Sequence, residues 1–285
     1  MSSISMPAKF KVAFFTYHPS ALRLLKFFQK VSSIRLVILP ATRDAITLSP
    51  VILWLRENNI SYLKTKNCNE QTVVQRVQKV HPDLMVIFNF PQILKKDLLI
   101  ISRTINFHPG DLPKYRGAHV LNWALINGEK RIAITCHFVN EQIDAGNIIA
   151  KKYIRVNAVD DIGSLSKKVA QAVPILAQVV LKKIANPNFS GQRQNLKKST
   201  YFKRRKPEDG EIDWNQNSQN ILNLVRALAQ PWPGAFTYLK RKKIIIEKAK
   251  IVRTLNLKPG EYQTKDKKIY FGTNDCTLEV IKFRK

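Results

Sequence analysis

The sequence predicts an α/β protein: a mostly parallel sheet covered by helices on both faces, followed by a small β-rich domain. Through most of the chain, short apolar runs alternate with amphipathic segments, a pattern typical of parallel strands joined by helices. Towards the C-terminus, short strand-like runs alternate with turns instead. A length of 285 residues suits one large or two modest domains.

The elements of the first part follow from their hydrophobic patterns. Short continuous apolar runs predict buried strands, and amphipathic runs predict helices. One helix is expected to begin with Ser49 as N-cap and Pro50 at its first position, and another to close at Gly128. The predicted strands cover 11–18, 34–40, 60–65, 82–90, 104–108, 131–139 and 146–156, and the predicted helices 19–33, 49–59, 69–80, 118–129 and 160–184. This order predicts a Rossmann-like sheet.

The domain division is predicted from composition. Residues 186–200 are polar, basic and turn-rich, which favours a linker. We therefore expect a first domain over 1–188, a linker over 189–203 and a C-terminal domain over 204–285. In the last domain a helix at 218–230 precedes strands at 242–252, 267–273 and 276–283, which suits a small OB-like β-barrel. The residues before Lys11 are expected to be a disordered lead rather than a signal peptide.

The net charge of +28, from 48 Lys and Arg against 20 Asp and Glu, is the unusual feature of the composition. It indicates either a polyanionic partner or a lysine-rich bias spread over the whole surface. The three cysteines, Cys68, Cys136 and Cys276, have no metal-type spacing and form no disulfide framework. No apolar run is long enough for a membrane span. We expect a cytoplasmic protein without a metal.

The stretch "TINFHPGDLPKYRG", Thr104 to Gly117, places chemistry-bearing side chains at the end of a strand. Asn106 and His108 are two residues apart and therefore face the same side of the strand. Ligands of such sheets bind beyond the carboxyl ends of the strands. A second loop, 140–146, offers the carboxylate of Asp144.

Four segments together resemble the folate-dependent formyltransferase family. They are the strand and loop "NFHPGDLPKYRG", the helix "LNWALINGE", the loop "QIDAGNII" and the distal run "RKPEDGEIDW" with "LVRAL" and "PWPGAFTYL". The family includes methionyl-tRNA formyltransferase, glycinamide ribonucleotide formyltransferase and sugar-nucleotide N-formyltransferases. The resemblance covers the chain from about Lys11 onward. It implies transfer of a formyl group from 10-formyltetrahydrofolate, as co-substrate, to a primary amine.

The resemblance also implies that Asn106, His108 and Asp144 are the catalytic residues. When a neutral amine attacks the formyl carbon, negative charge develops on the formyl oxygen, and the Asn106 amide is a suitable donor to it. His108 suits the transfer of the amine's proton because imidazole titrates near neutral pH. Asp144 would orient or charge the imidazole, or relay protons through water.

Ligand-binding positions are carried over from the family in the same way. Backbone groups of two segments would bind the pterin, and the loop after His108 would bind the acceptor. The co-substrate positions are Phe88, Asn89, Phe90, Ile93, Leu94, Gln142 and Ile143. The acceptor positions are Gly110, Asp111, Lys114, Tyr115 and Arg116. Gly110 stands where the family often has serine, and Asp111 where leucine is common. The histidines His81, His119 and His137 are expected to be structural, and His18 stays ambiguous.

The acceptor stays open between a nucleotide-linked amino sugar and an aminoacyl-tRNA. The tRNA enzymes usually carry a Gly/Arg-rich insertion after the second strand, whereas residues 40–50 here, "PATRDAITLSP", are short and lack glycine. The distal runs look most like the formyltransferase domain that acts on UDP-4-amino-4-deoxy-arabinose, so the amino sugar is favoured. A non-catalytic RNA-binding protein on the same fold is the alternative from another class, and a homodimer stays open.

Overall fold

Residues 10–42, 44–253 and 255–285 are described by a computed structural model. The lead before Lys11 predicted from the sequence, and Arg43 of the 40–50 stretch, lie outside the described residues. The chain forms two units, which we treat separately. The first contains Met1–Arg116, Ala133–Ile154 and Lys167–Thr200, and the second contains Gly117–Ile132, Arg155–Ser166 and Tyr201–Lys285.

The helices and strands are numbered here in chain order. The α-helices are α1 Leu22–Val31, α2 Ala45–Glu57, α3 Gln71–Lys79, α4 Lys96–Leu99, α5 Val120–Ile126, α6 Ile162–Ile184 and α7 Ser218–Ala227. The strands are β1 Lys11–Phe15, β2 Ser33–Pro40, β3 Tyr62–Thr65, β4 Leu84–Ile87, β5 Arg103–His108, β6 Arg116–Gly117, β7 Arg131–Phe138, β8 Ile148–Arg155, β9 Tyr201–Phe202, β10 Ala235–Leu239, β11 Lys242–Val252, β12 Tyr262–Lys265, β13 Lys268–Gly272 and β14 Thr277–Arg284.

The first unit is built on a sheet with the strand order β3-β2-β1-β4-β5-β7-β8. Strands β1 to β5 pair in parallel, and β7 runs antiparallel to β5. Alternate residues of β1 face opposite sides: the ring centroid of Phe14 lies 5.0 Å from that of Phe28 in α1. Ala13 and Phe15 belong to the core cluster that contains Val73 of α3. Helices therefore cover both faces, and the predicted fold class is confirmed.

The start of α2 was predicted wrongly. The helix begins at Ala45, and the Asp44 side chain caps it by accepting a 2.7 Å hydrogen bond from the backbone N–H of Thr47. Pro50 therefore lies inside the helix, where it has no N–H to offer the carbonyl of Ile46. The hydroxyl of Ser49 donates to that carbonyl at 3.2 Å instead. Ser49 is thus a substitute donor within the helix and not its N-cap.

The C-terminal part of the second unit is an antiparallel sheet with the order β10-β11-β14-β13-β12. Helix α7 packs on it, with Ile221 and Val225 in the same core cluster as Ile244 and Phe271. The Trp214 ring stacks on Phe271 at a centroid distance of 4.3 Å. Among the described strands, β10 and β12 form the two edges, so the predicted β-rich domain is a half-barrel.

The segment 186–200, predicted as a linker, belongs to the first unit. Gln192 and Ile148 exchange both backbone hydrogen bonds, at 2.7 and 2.8 Å. The second unit combines residues 201–285 with 117–132 and 155–166, so it draws on three segments of the chain. The predicted domain boundaries at residues 188 and 204 remain a prediction. None of the helices in the described residues has the length and apolar character that crossing a membrane requires.

Candidate active site

Strand β5 places Asn106 and His108 at the carboxyl end of the parallel strands. Asn106 is the register partner of Ile87, the last residue of β4. Ile105 and Phe107 alternate with the two polar residues and are fully buried, so burial of the opposite face fixes the register of the strand. The sequence prediction that both side chains share one face at a strand end therefore describes the structure correctly.

The antiparallel neighbour β7 adds two polar side chains to the same face. His137 lies opposite Asn106, and Thr135 lies opposite His108. Directly opposed residues in an antiparallel pair place their side chains on the same side of the sheet. His137 was predicted to be structural. Its position opposite Asn106 depends on the pairing of β5 with β7, which the local sequence does not reveal.

Asp144 reaches this face from the loop between β7 and β8. Its Oδ1 accepts a long hydrogen bond of 3.4 Å from Asn106 Nδ2 and lies 3.5 Å from His137 Nε2. Its Oδ2 lies 3.6 Å from His108 Nδ1. Gly146 shapes the loop, because a Cβ at this position would overlap the carbonyl oxygen of Phe138. The predicted trio of Asn106, His108 and Asp144 is thus brought together within the first unit.

Hydrogen bonds to backbone carbonyls determine how the two imidazoles are oriented. His137 Nδ1 donates to the carbonyl of Phe138 at 2.7 Å, which leaves Nε2 to accept from Asn106 Nδ2 at 3.3 Å. His108 Nε2 donates to the carbonyl of Tyr115 at 2.6 Å. A carbonyl can only accept, so the proton of a neutral ring lies on Nδ1 of His137 and on Nε2 of His108.

Comparison with known proteins identifies the family. A model of the formyl transferase family matches residues 40–180, and a model of the formyl transferase C-terminal domain matches residues 204–285. The chain belongs to the formyl transferase family. The family resemblance predicted from the sequence is confirmed, and formyl transfer is the activity that both family descriptions name.

Individual relatives agree with the family models. The chain is 38% identical over 247 residues to the bifunctional polymyxin resistance protein ArnA of Wigglesworthia glossinidia brevipalpis, a match that covers 85% of this chain and 38% of ArnA. An N-formyltransferase from Helicobacter canadensis, solved with folinic acid and dTDP-3-aminofucose, matches with a TM-score of 0.73 at 17% identity over 95% of this chain and 98% of that one. Methionyl-tRNA formyltransferase from Clostridium thermocellum matches with a TM-score of 0.58 at 19% identity over 95% and 98%. The two solved structures show that the fold is shared.

The loop after His108 is tied down by buried hydrogen bonds. The hydroxyl of Thr135 donates to the carbonyl of Gly110 at 2.7 Å. Asp111 forms a 2.6 Å ion pair with Lys151, whose ammonium group also donates to the carbonyl of Leu112. Asp111, predicted to contact the acceptor, therefore already has a partner that fastens the loop.

Arg116 faces inward, towards the trio. Its Nη2 donates to Gln194 Oε1 at 2.7 Å, and its buried Nε has no hydrogen-bond partner among the described residues. Burial lowers the pKa of the guanidinium, and the negative charge of Asp144 partly opposes this shift. Lys114, by contrast, is exposed, and the Tyr115 side chain is buried. Of these three predicted acceptor residues, Arg116 is the cation near the trio.

Gln194 is a functional candidate that sequence reasoning missed. Its Nε2 donates to the carbonyls of Asp144 and Gly146 at 2.8 and 2.7 Å, while its Oε1 accepts from Arg116. The side chain is buried and joins the Asp144 loop to Arg116. Gln194 lies in the segment predicted as a linker. In the sequence it is one polar residue among other polar and basic residues, and nothing marks it as functional.

The predicted pterin-binding positions divide into buried and exposed side chains. Phe88 and Leu94 are buried in the core, so only their backbone is available to a ligand. Asn89 has a positive φ of 53° and donates to Ser20 Oγ at 2.8 Å. Phe90 packs edge-on against Phe15. The more exposed side chains in the set are Ile93, Gln142 and Ile143.

Two of the other histidines, His18 and His119, have local partners. His18 Nδ1 lies within hydrogen-bond distance of both the hydroxyl and the backbone N–H of Ser20, at 2.9 and 3.2 Å. In the second unit, His119 Nδ1 accepts from the backbone N–H of Arg205 at 3.1 Å, and its ring packs edge-on against Trp232. His119 thus has the structural contacts that the sequence prediction assigned to it.

Proposed function

We propose that this protein transfers a formyl group from 10-formyltetrahydrofolate to the primary amine of a nucleotide-linked amino sugar. The observation that carries the proposal is the assembly of an amide, an imidazole and a carboxylate at one strand end. Asp144 lies 3.4 Å from Asn106 Nδ2 and 3.6 Å from His108 Nδ1. Formyl transfer to an amine requires an oxyanion donor and a proton acceptor side by side, and this trio supplies both.

Asn106 acts on the charge that develops during attack. The orientation of its amide is set by two acceptors, His137 Nε2 and Asp144 Oδ1, so Nδ2 points towards the trio. Both contacts are long, at 3.3 and 3.4 Å, and an oxyanion would form a shorter, stronger bond with the same N–H groups. Removing one such donor typically raises the barrier by about 3 kcal/mol.

His108 and Asp144 handle the proton. As the new carbon–nitrogen bond forms, the amine must lose a proton, which the imidazole accepts. The carboxylate of Asp144 then stabilises the imidazolium, since its Oδ2 lies 3.6 Å from Nδ1 and both side chains are buried. The imidazole then passes this proton to the departing folate nitrogen, so the ring ends the cycle neutral.

The chemistry of the described residues suits the binding of a folate co-substrate. The co-substrate would supply a formyl carbonyl on a nitrogen leaving group. The backbone of 88–90 follows β4 directly, beside the Asn106 end of β5, and Ile93 and Ile143 are exposed apolar side chains in the two segments predicted to bind it. A flat heterocycle is usually held by such backbone groups and apolar surface.

Three observations favour the amino sugar as acceptor. The relative at 38% identity is ArnA, and the distal runs resemble the formyltransferase domain that acts on UDP-4-amino-4-deoxy-arabinose. In addition, only residues 41–44 connect β2 to α2, where tRNA enzymes usually have their insertion. Arg116 is the cation suited to a diphosphate, because a guanidinium binds phosphate oxygens in pairs.

The test is an acceptor panel with the purified protein and 10-formyltetrahydrofolate. The panel contains UDP-4-amino-4-deoxy-arabinose, dTDP-3-aminofucose and Met-tRNA, and the readouts are tetrahydrofolate release and formylated product by mass spectrometry. We expect turnover with an amino sugar. Preferential formylation of Met-tRNA would assign the charge of +28 to RNA binding and overturn the acceptor proposal. No turnover with any of the three would overturn the proposed reaction.

A further inference from the structure

Gly110 lies against the imidazole of His108. A Cβ at this position would be 2.5 Å from His108 Nε2, 2.8 Å from its Cδ2 and 2.5 Å from the carbonyl oxygen of Tyr115. These are the two partners of the 2.6 Å hydrogen bond from Nε2 to that carbonyl. In this chain a larger residue would therefore place its first side-chain atom within this bond, so the backbone carbonyl or the buried ring would have to shift.

The loop holds the Tyr115 carbonyl in place from both sides. Tyr115 has a left-handed φ of 55°, and its backbone N–H donates to Thr200 Oγ1 at 3.1 Å. On the other side, Thr135 is fully buried and its hydroxyl donates to the carbonyl of Gly110 at 2.7 Å. The Asp111–Lys151 ion pair fastens the residues between them. A loop fixed at these points cannot retreat from a new side chain without losing buried hydrogen bonds.

We propose that Gly110 is a positioning residue that fixes His108 in one tautomer, with the proton on Nε2, so that Nδ1 is the proton-accepting atom. Nδ1 is the nitrogen that faces Asp144, at 3.6 Å from Oδ2. The Tyr115 carbonyl accepts the proton of Nε2 and so prevents that nitrogen from acting as the base. This inference rests on the proposed function for its consequence in catalysis, but the tautomer itself is independent of any substrate.

The proposed transfer begins when the lone pair of the amine forms a bond to the formyl carbon and the π pair of the formyl carbonyl moves to its oxygen. One proton of the amine passes to the lone pair of Nδ1. The imidazolium then carries one proton on each nitrogen, one facing Tyr115 and the other facing Asp144. The oxygen then re-forms the carbonyl as the bond between the formyl carbon and the folate nitrogen breaks, and that nitrogen keeps the electron pair of the broken bond and takes the proton from Nδ1.

The tautomer is measured directly by long-range ¹H–¹⁵N NMR of the imidazole rings in the wild-type protein at pH 8.5, where an ordinary histidine is neutral. The chain has five histidines, so the spectrum of His108→Gln assigns the signal of interest. We expect His108 with its proton on Nε2. A ring protonated on Nδ1, or on both nitrogens at this pH, overturns the proposal.

The role of Gly110 is tested with Gly110→Ala, with Gly163→Ala as control. At Gly163 the same methyl group would meet only Asp161 Oδ1 and the carbonyl of Gln230, at 3.3 and 3.5 Å. We expect Gly110→Ala to lose the single tautomer and about 10²-fold or more in kcat, the cost of a displaced catalytic group. The KM for 10-formyltetrahydrofolate is expected to change far less. Gly163→Ala is expected to match the wild type.

The outcomes separate this inference from the proposed function. If Gly110→Ala keeps the tautomer and kcat, Gly110 is not a positioning residue, whatever the acceptor. If the wild type shows Nε2–H and Gly110→Ala loses it, yet no acceptor is formylated, the positioning role stands and the proposed function fails. Because the wild-type spectrum requires no variant, misfolding of Gly110→Ala would not remove the test of the tautomer.

Discussion

Replacing Gln194 with alanine is expected to weaken the site without changing any side chain of the predicted catalytic trio. The change removes three hydrogen bonds: two that hold the carbonyls of Asp144 and Gly146, and one that holds Arg116. Each bond is worth about 1 kcal/mol, and more where a charged group takes part. The free energy of unfolding should therefore fall by about 3 kcal/mol. In a chain of this size, this lowers Tm by roughly 6–12 °C.

The same variant should lose activity through the position of Asp144. Without Gln194, the loop that carries Asp144 loses the two hydrogen bonds that hold the carbonyls of Asp144 and Gly146. A displacement on the order of 1 Å at a catalytic group costs about 10²-fold in rate, so kcat is expected to fall by up to that factor. A purely structural role would lower Tm but leave kcat of the folded fraction unchanged.

Two further variants make this assay decisive. Gln194→Glu keeps an acceptor for Arg116 but places a carboxylate against two carbonyls, so we expect kcat to fall as in Gln194→Ala. Gln78→Ala, on the exposed surface of α3, is the matched control and should leave Tm and kcat unchanged. Thermal unfolding and steady-state kinetics are measured on the same preparations. Wild-type Tm and kcat in Gln194→Ala would show that Gln194 neither stabilises the protein nor positions Asp144.

The remaining predictions concern thiol reactivity and pH-dependent stability. Burial raises the pKa of the Cys68 thiol to about 11 and that of Cys136 above its ordinary value. A thiol reagent on the native protein should therefore modify Cys276 rapidly and the other two only after unfolding; fast reaction of all three would contradict the burial. The pKa of Asp275 is lowered, chiefly because its carboxylate accepts from the first N–H of α7. This stabilisation is present above the unfolded pKa near 4 and is lost as pH falls through the lowered folded pKa. Asp275→Asn should lower the free energy of unfolding at pH 7 but not in strong acid, whereas Asp266→Asn, at an exposed turn, should change it little at either pH; an equal loss for Asp275→Asn at all pH values would contradict this.

The parts of the fold that could be predicted are those that local sequence encodes. Apolar runs gave the parallel strands, and the spacing of Asn106 and His108 placed both on one face of β5. The start of α2 was missed because Pro50 is a strong signal for a first turn, whereas here the hydroxyl of Ser49 satisfies the carbonyl that the proline leaves without a donor. Helix propensity could not predict that the Ser49 hydroxyl takes the place of the N–H that Pro50 lacks.

The parts of the site that could not be predicted depend on long-range pairing. His137 joins the trio only because β7 pairs antiparallel with β5, and its sequence neighbours are ordinary strand residues. Gln194 acts through two carbonyls, at residues 144 and 146, about fifty positions away in the chain. Composition marked its segment as a linker, since polar and basic residues are typical of linkers as well as of buried hydrogen-bond networks.

We propose that Asn106, His108 and Asp144 transfer a formyl group to a nucleotide-linked amine. The most direct test of this proposal is a single-turnover assay with 10-formyltetrahydrofolate and UDP-4-amino-4-deoxy-arabinose, comparing the wild type with His108→Gln and Asp144→Asn. We expect formylated product with the wild type and a rate lower by about 10²–10⁴-fold in each variant, with unchanged circular dichroism. Near-wild-type rates in either variant would contradict it.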